Sequence, residues 1–594
     1  MPWQRLEEHA EILAVHAAYV GFGKIIYFGG DQHSPTQNAA RKFDATRLFD
    51  CSSYTVKTLQ SPPFDSFCSG HAFLGATNIV KLLVAGGTEL FYQGAGYHLH
   101  HFPGLRDAAI FNTPNFSAGS GGVGWDWQSV EKMNVSGMLA AADPLVNPHP
   151  SVRDTGGRWY PTLLTLPSGD VIALSGHPGL SDANHNNVIP EVFTRHPEPN
   201  GNWRLLAPYG NNSAYQYYLR HSTTLYPRVH VLPSGDILFS NPLDYPREQL
   251  SERLQELTTN ARPPVTVTLL PDAGAFGGTF TPVALFPTDD DAPSDYGGYS
   301  STSVLLPLGE KPTSAASRNK KKTYTAQIMI CGGSNRTPYR LSLKDWSPYA
   351  VNNGTWQWRK TGQRKQSRRR YHANATILPT GEVVMTGGID YKPLNIPNSP
   401  PPLDSDGVRT PEVYNPYTDT WTLLDGDAAA TDRNYHSVAV LMPDGRVWTA
   451  GSNKNAAQSV VNAVPPAEDW RNLDIEIFAP WYHSVPDGER PYITQAPSLL
   501  YPGAAVQIKS TYASEIDRVV MVACGSCTHA FDSGQRLIEI AFEYQGDDDL
   551  RLKIPPTNNI MPSGPYLLYT LREWSNPLGL PSYGTDIVVV QPEH

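Results

Sequence analysis

Five side chains in this 594-residue sequence are of types that together carry redox chemistry: Cys68, Tyr160, Tyr435, His436 and His529. Cys68 opens CSGHAFLGATNIVKLLVAGG (68–87), and Tyr160 lies at the start of the related unit WYPTLLTLPSGDVIALSG (159–176). Tyr435-His436 stands at the start of a later copy, and His529 lies beyond the last one. Phenolate oxygens and imidazole nitrogens in a four-donor set favour tetragonal Cu(II), whereas zinc would want more thiolate or carboxylate. Copper carries one electron, and oxidising an alcohol or an aldehyde hydrate takes two. A second one-electron store must therefore stand beside the metal. A tyrosine joined through its ring to a cysteine sulfur is such a store, because the sulfur makes the phenol easier to oxidise. Cys68 and Tyr160 lie in neighbouring copies, so their meeting is geometrically reasonable. Tyr226 is two copies from Cys68 and is the poorer partner.

Each residue alone has a plainer reading. A tyrosine at the start of an inner strand is usually packing, and Tyr226, Tyr371 and Tyr435 all open strands in the apparent register of Tyr160. Tyr371-His372 even duplicates the Tyr435-His436 dipeptide. A single cysteine is more often a small buried hydrophobe than a reactive group. Cys524-Gly525-Ser526-Cys527 has metal-knuckle or redox spacing, but no second pair accompanies it. A disulfide or two idle thiols is the better reading there than zinc. The conjunction of all five residues is what points to a metal centre.

The elements that must position them are short strands. Charged residues make up 17% of the chain, while 49 Gly, 53 Pro, 30 Tyr and 13 Trp point to many turns and little helix. One pattern recurs seven times: apolar strand, Gly-containing turn, apolar strand, small residues. The copies fall at 15–30, 68–87, 159–176, 226–241, 299–333, 371–388 and 435–452. Outer-strand stretches such as PEVYNPYTDTWTLL (411–424) follow several of them. With their Gly-Gly ends and Tyr…Trp tails, these units resemble kelch repeats. No unit can bury both faces alone, so radial stacking is expected: a seven-bladed β-propeller over residues 1–480. After Pro480 the Gly-Gly endings stop and alternating strands follow at short intervals. An immunoglobulin-like β-sandwich over 481–594 is the expectation, making the chain all-β.

Proline-rich and glycine-rich stretches at 134–156, 279–297 and 391–408 read as loops between blades, and 312–323 as a disordered hairpin tip. Residues 247–257 have the leucine spacing of a short surface helix. A net charge of −10 argues against a nucleic-acid partner, and the basic run 364–370 reads as a solvated loop. No stretch approaches the roughly 20 apolar residues of a membrane span. The first residues carry Glu7, Glu8 and Glu11 where a signal peptide would be apolar.

FCSGHAFL, GRWYPTLLTLPSGDVIALSG, TPEVYNPYTDTW, NYHSVAVLMPDGRVW and CTHAFDSGQRL together resemble the copper radical oxidases, the galactose oxidase and glyoxal oxidase group. The resemblance runs in order along nearly the whole chain. It implies a copper ion held by Tyr160, Tyr435, His436 and His529, with Tyr160 cross-linked to Cys68 by a thioether. Tyr435 would be the axial ligand and the base for the substrate hydroxyl, and Tyr371-His372 a structural position. His529 would ride on a hairpin of the second domain that reaches the propeller axis. The implied activity converts a primary alcohol or aldehyde, with dioxygen, to an aldehyde or carboxylic acid and hydrogen peroxide. A monomer is expected, and by resemblance alone an extracellular one.

One departure stands out. In galactose oxidase a tryptophan covers the cross-linked tyrosine, but the matching turn here is Ser175-Gly176-His177-Pro178. Together with the Arg-Trp-Tyr-Pro and Phe-Cys-Ser-Gly-His forms, this favours small aldehydes or simple primary alcohols over galactose. A non-catalytic kelch-type propeller that binds carbohydrate or protein is the rival, and retention of all five residues counts against it. Glycan hydrolysis lacks a convincing carboxylate pair at matching positions.

Overall fold

The computed structural model describes residues 2–29, 46–75, 78–89, 103–115, 124–134, 156–179, 187, 190–197, 199–206, 225–240, 265–270, 279–285, 300–333, 337–346, 356–365, 368–390, 407–453, 471–486 and 488–590. These residues are all-β apart from short 3-10 turns, in a propeller-like arrangement of sheets followed by one large sheet. No helix among them is long and apolar enough to cross a membrane.

Among the described residues six sheets have four strands each, and in five of them the strands are joined in sequence as antiparallel neighbours. In the sheet carrying Tyr160 the order is Thr162–Thr165, Val171–Leu174, Glu191–Thr194 and Asn202–Leu205. Its two inner strands are almost wholly buried, and its edge strand alternates between exposed and buried residues. Burial on both faces explains why the inner strands are near-continuous apolar runs, while one wet face gives the outer strand its alternation. The innermost strands pack side by side: Gly70–Phe73 on Thr162–Thr165, and that strand on Val229–Val231. Ser301–Leu305 packs on Asn374–Ile377, then Ser437–Leu441, then His16–Tyr19.

The same tight turn joins the first two strands in four sheets. Gly169, Gly235, Gly381 and Gly445 each donate their N–H to the carbonyl three residues back, at 2.8–2.9 Å, with φ between 82° and 96°. Only glycine enters that region without a Cβ penalty, so Pro-Ser-Gly, Pro-Thr-Gly and Pro-Asp-Gly fix the hairpins.

Two pairings bring distant parts of the chain together. Trp3–His9 pairs with Asp474–Phe478, so the first strand completes the sheet built on Ser437–Leu441. The hairpin Ser526–Thr528 and Phe531–Asp532 adds onto His16–Tyr19, with His16 opposite Thr528. That sheet therefore has six strands. Between residues 493 and 589 a nine-stranded sheet is centred on Ile516–Ala523, Leu537–Gly546 and Gly564–Arg572. One of its pairs, Leu499–Leu500 with Val588 and Val589, is parallel, whereas the sheets of an immunoglobulin-like sandwich are antiparallel.

Several expectations change. Residues 312–323 are ordered: Ser317 Oγ accepts the N–H groups of Thr313 and Ser314 at 2.9 Å, and Phe542 donates to the Arg318 carbonyl. Local serine-to-backbone bonds and docking on the large sheet order a segment whose composition suggests disorder. Thr279–Leu285 is a strand, not a loop. The basic run is only partly solvated, because Arg364 and Arg370 are buried on Glu412. All five cysteines are free thiols, so Cys524 and Cys527 form no disulfide. The helix at 247–257 and most of the loops at 134–156 and 391–408 lie outside the described residues.

Five histidines around the inserted hairpin, His16, His71, His230, His436 and His529, are buried. Burial pushes all their pKa values down, to about 3 for His71, His230 and His436. A histidine held neutral in the fold contributes stability that is present above its unfolded pKa near 6.5 and is lost as pH falls toward the folded value. The loss is about 1.4 kcal/mol per pH unit for each group. Asp532 and Asp586, raised by burial to about 7 and about 6, act in the opposite sense together with Asp170 and Glu382, four carboxyls against these five histidines and His483, itself lowered to about 4. The urea midpoint of the metal-free protein should therefore fall steeply from pH 6.5 to 4, and His230→Gln should flatten the slope. A midpoint constant over that range would contradict neutral burial.

Candidate metal centre

The mouths of the inner strands form a belt around the axis. The Tyr160 N–H bonds the Cys68 carbonyl at 3.0 Å, the Tyr226 N–H bonds the Tyr160 carbonyl at 2.8 Å, and the His372 N–H bonds the Ser300 carbonyl at 2.8 Å. Cys68, Tyr160, Tyr226, His372 and His436 all have left-handed φ, at 60°, 64°, 47°, 60° and 65°. His529, at the tip of the inserted hairpin, has φ 46°. Such non-glycine residues are costly and persist only where their surroundings hold them, and here they gather at one place. The register therefore differs from the apparent one: Tyr226, His372 and His436 occupy the place of Tyr160, and Tyr371 and Tyr435 stand one residue earlier.

Buried ion pairs tie three of these mouths to the third strand of their own sheets. Arg158 pairs with Glu191 at 2.8 Å, Arg370 with Glu412 at 3.1 Å and Arg433 with Glu476 at 3.3 Å. Each arginine precedes a belt residue by two or three positions. Buried pairs of this kind are weak stabilisers, so their value here is to fix the register of the mouths.

The belt brings the five residues together. Cys68 Sγ lies 3.9 Å from His436 Nε2 and 3.7 Å from His529 Nε2. The three donor atoms of this group all lie within 4.8 Å of one another. The His436 and His529 ring centres are 4.9 Å apart at 90°. Tyr160 lies 4.7 Å from the His529 ring, and Tyr435 lies 3.8 Å from His436 and 5.4 Å from His529. Cys68, Tyr160, Tyr226 and Tyr435 share one buried cluster.

The outer partners fix which nitrogens are available. The Thr528 hydroxyl donates to the Val15 carbonyl at 2.9 Å, so its oxygen accepts the Nδ1–H of His529 at 2.7 Å. His436 Nδ1 donates to Asn453 Oδ1 at 3.0 Å. Both imidazoles thus keep their proton on Nδ1 and turn a free Nε2 lone pair toward Cys68. Burial, and secondarily the neighbouring His372, hold His436 neutral. The same burial keeps His529 neutral, and it pushes the Cys68 thiol and the Tyr435 phenol up.

Three residues at the site are ones that the sequence pattern left aside. Trp159 stacks on Tyr160 with ring centres 3.7 Å apart and 11° between planes, and its indole N–H interacts with Cys68. Trp159 also pairs across a two-way backbone bridge with His177, inside the Ser-Gly-His-Pro turn. An aromatic cover for Tyr160 therefore exists, supplied by the preceding residue. Tyr226 lies against both Tyr160 and His529, at 4.5 and 4.4 Å between ring centres, and its hydroxyl donates to the Ser69 carbonyl at 2.7 Å. The Tyr-Pro dipeptide common to positions 160–161 and 226–227 was the available clue. His372 meets Tyr435 at 5.1 Å.

The description "glyoxal oxidase N-terminus" matches residues 281–482, and "galactose oxidase-like, early set domain" matches residues 490–589. The aldehyde oxidase GLOX1 of Arabidopsis thaliana is 26% identical over 457 residues, covering 73% of this chain and 64% of that protein. The galactose oxidase of Gibberella zeae is 28% identical over 227 residues, covering 38% of this chain and 30% of that protein. The chain thus spans less than two thirds of the length of these two relatives. A solved fungal alcohol oxidase in complex with copper, described as showing catalytic diversity among the AA5 family, superposes with a TM-score of 0.64 over 99% of both chains. At 18% identity that likeness shows the fold alone. In its two matched domains and in its relatives, the chain is similar to the glyoxal oxidases and galactose oxidases, the group that its residues resemble.

Proposed function

We propose that this protein is a copper-dependent oxidase that converts a small aldehyde hydrate or primary alcohol, with dioxygen, to the acid or aldehyde and hydrogen peroxide. The observation that carries the reading is the convergence of two free Nε2 lone pairs on Cys68, in a group without carboxylates. The donor types fit copper: two neutral imidazoles with two phenols close by. His436, His529, Tyr160 and Tyr435 would hold the ion, which supplies one-electron redox chemistry when bound.

The chain's own residues do the rest. Burial raises the Tyr435 phenol, a shift that a bound copper ion would offset, so that Tyr435 as phenolate would take the substrate's hydroxyl proton. Tyr160, joined through its ring to the Cys68 sulfur, stores the second oxidising equivalent. Trp159 covers one face of Tyr160 and excludes water from it. The Arg158–Glu191 pair and the belt hydrogen bonds hold Tyr160 and Cys68 in register. Thr528 and Asn453 act through the imidazoles they orient. Thr528→Val should weaken copper affinity by about 10–100-fold, as loss of an outer partner does, in competition with a chelator. Unchanged affinity would remove Thr528 from the account.

We read the six four-stranded sheets and strands 16–58 of the six-stranded sheet as seven kelch-type blades. A propeller over 1–480 and an immunoglobulin-like domain over 481–594 complete that reading. The pairing of Trp3–His9 with Asp474–Phe478 supports ring closure, and the spans of the two matched descriptions support a boundary near 480.

The test is aerobic copper titration of the metal-free protein, followed by a peroxide assay with glyoxal, galactose and simple primary alcohols. One copper bound per chain and peroxide from at least one substrate are expected. Copper-independent inertness toward all of them would favour a binding propeller instead.

A further inference from the structure

The belt has one member unlike the rest. Cys68, Tyr160, Tyr226, His436 and His529 are buried, as is Tyr435, whereas His372 is half-buried. Of these belt residues, His372 is therefore the one that is not fully buried while its ring also touches the site, although its Nδ1 is itself buried. Its backbone is fixed by the N–H bond to the Ser300 carbonyl and by its left-handed φ. Its ring stands 5.1 Å from that of Tyr435, and its charge would be felt at both His436 and His529. A substrate oxygen held at the Nε2 atoms of those two histidines would have this imidazole close by, across the Tyr435 ring.

Substrate chemistry gives the position a use. A hydrated aldehyde carries two hydroxyl groups on the reacting carbon, and a primary alcohol carries one. When one hydroxyl is engaged beside Tyr435, the second is drawn into a site whose other walls are aromatic rings and a thiol. A polar group taken there without a partner costs free energy, so a donor or acceptor placed beside it selects for the hydrate. Imidazole offers one of each.

We propose that His372 is a specificity-determining residue that hydrogen-bonds the second hydroxyl of hydrated aldehydes and so favours aldehyde hydrates over alcohols of the same size. This inference rests on the oxidase reading above.

The test compares glyoxal, which is hydrated in water, with ethanediol, which has the same two carbons. Copper-loaded full-length protein and its His372→Ala and His372→Gln variants are assayed for peroxide, with copper content and optical spectrum measured on each. His372→Ala should lose about tenfold in kcat/KM for glyoxal, the scale of one hydrogen bond, with little change for ethanediol. His372→Gln, which can donate and accept, should restore most of the loss. An unchanged glyoxal-to-ethanediol ratio in the alanine variant overturns the assignment while leaving the oxidase reading intact. Equal loss on both substrates with altered copper content or spectrum also overturns it, as the mark of a structural role. Wild-type protein that binds copper and oxidises neither substrate nor any other alcohol or aldehyde overturns both.

Discussion

Cys68→Ser should abolish most oxidation while leaving copper bound. The expected fall in turnover is about a thousandfold, or roughly 4 kcal/mol of barrier, because the second oxidising equivalent would lose its sulfur-stabilised store. Copper should remain, since the lone pairs of His436 and His529 are set by Asn453 and Thr528 and not by the thiol. Serine is close in size to cysteine, so the buried cluster around Tyr160 should survive. Mass spectrometry supplies a second readout. After aerobic copper loading, the wild-type peptides containing Cys68 and Tyr160 should run as one species about two mass units lighter than their sum, since bond formation removes two hydrogens. In the variant they should stay separate. Separate peptides from active wild-type protein would sink the thioether, and joint loss of copper and activity in the variant would point to misfolding.

His529→Ala should cost more than about 100-fold in copper affinity, beyond what loss of an outer partner costs, because it deletes a donor atom itself. Turnover should fall with it and should not return at higher copper concentration. The hairpin should remain, since Ser526–Thr528 pairs with His16–Tyr19 through the backbone and Thr528 still reaches the Val15 carbonyl. Circular dichroism close to wild type together with lost copper is the expected combination. Full copper stoichiometry and unchanged affinity would show that the lone pairs of the belt do not need the hairpin.

Much of this was legible because each repeat announces itself. The Pro-Ser-Gly and Pro-Asp-Gly turns fix hairpins, and the small residues that end the second strands mark where the chain leaves the axis. Cys68, Tyr160, Tyr435, His436 and His529 could be picked out because their types are unusual in combination. Register was harder. In the sequence Tyr371 and Tyr435 look equivalent to Tyr160, yet the left-handed residues are His372 and His436, because φ and carbonyl partners set the belt. Trp159 was hidden for a related reason. Adjacent residues on a regular strand face opposite ways, so a neighbour is not expected to stack on its neighbour. The left-handed turn at Tyr160 breaks that rule. Tyr226 was set aside as a covalent partner for Cys68, and its packing on His529 depends on a hairpin whose insertion point no local pattern reveals. At 312–323 a lysine-rich and serine-rich composition masked a segment ordered by Ser317 and by docking on a distant sheet.

The strand pairing of His16 with Thr528 has a consequence for biosynthesis. Its two partners are 512 residues apart, and the first strand of the chain also waits for a partner near residue 474. On a ribosome, the amino-terminal segment would emerge long before either of those contacts exists. The proposed donor set is complete only once residue 529 has been released. On the proposed reading, metal capture by this set would have to follow release of the hairpin, and a product truncated before it would lack His529.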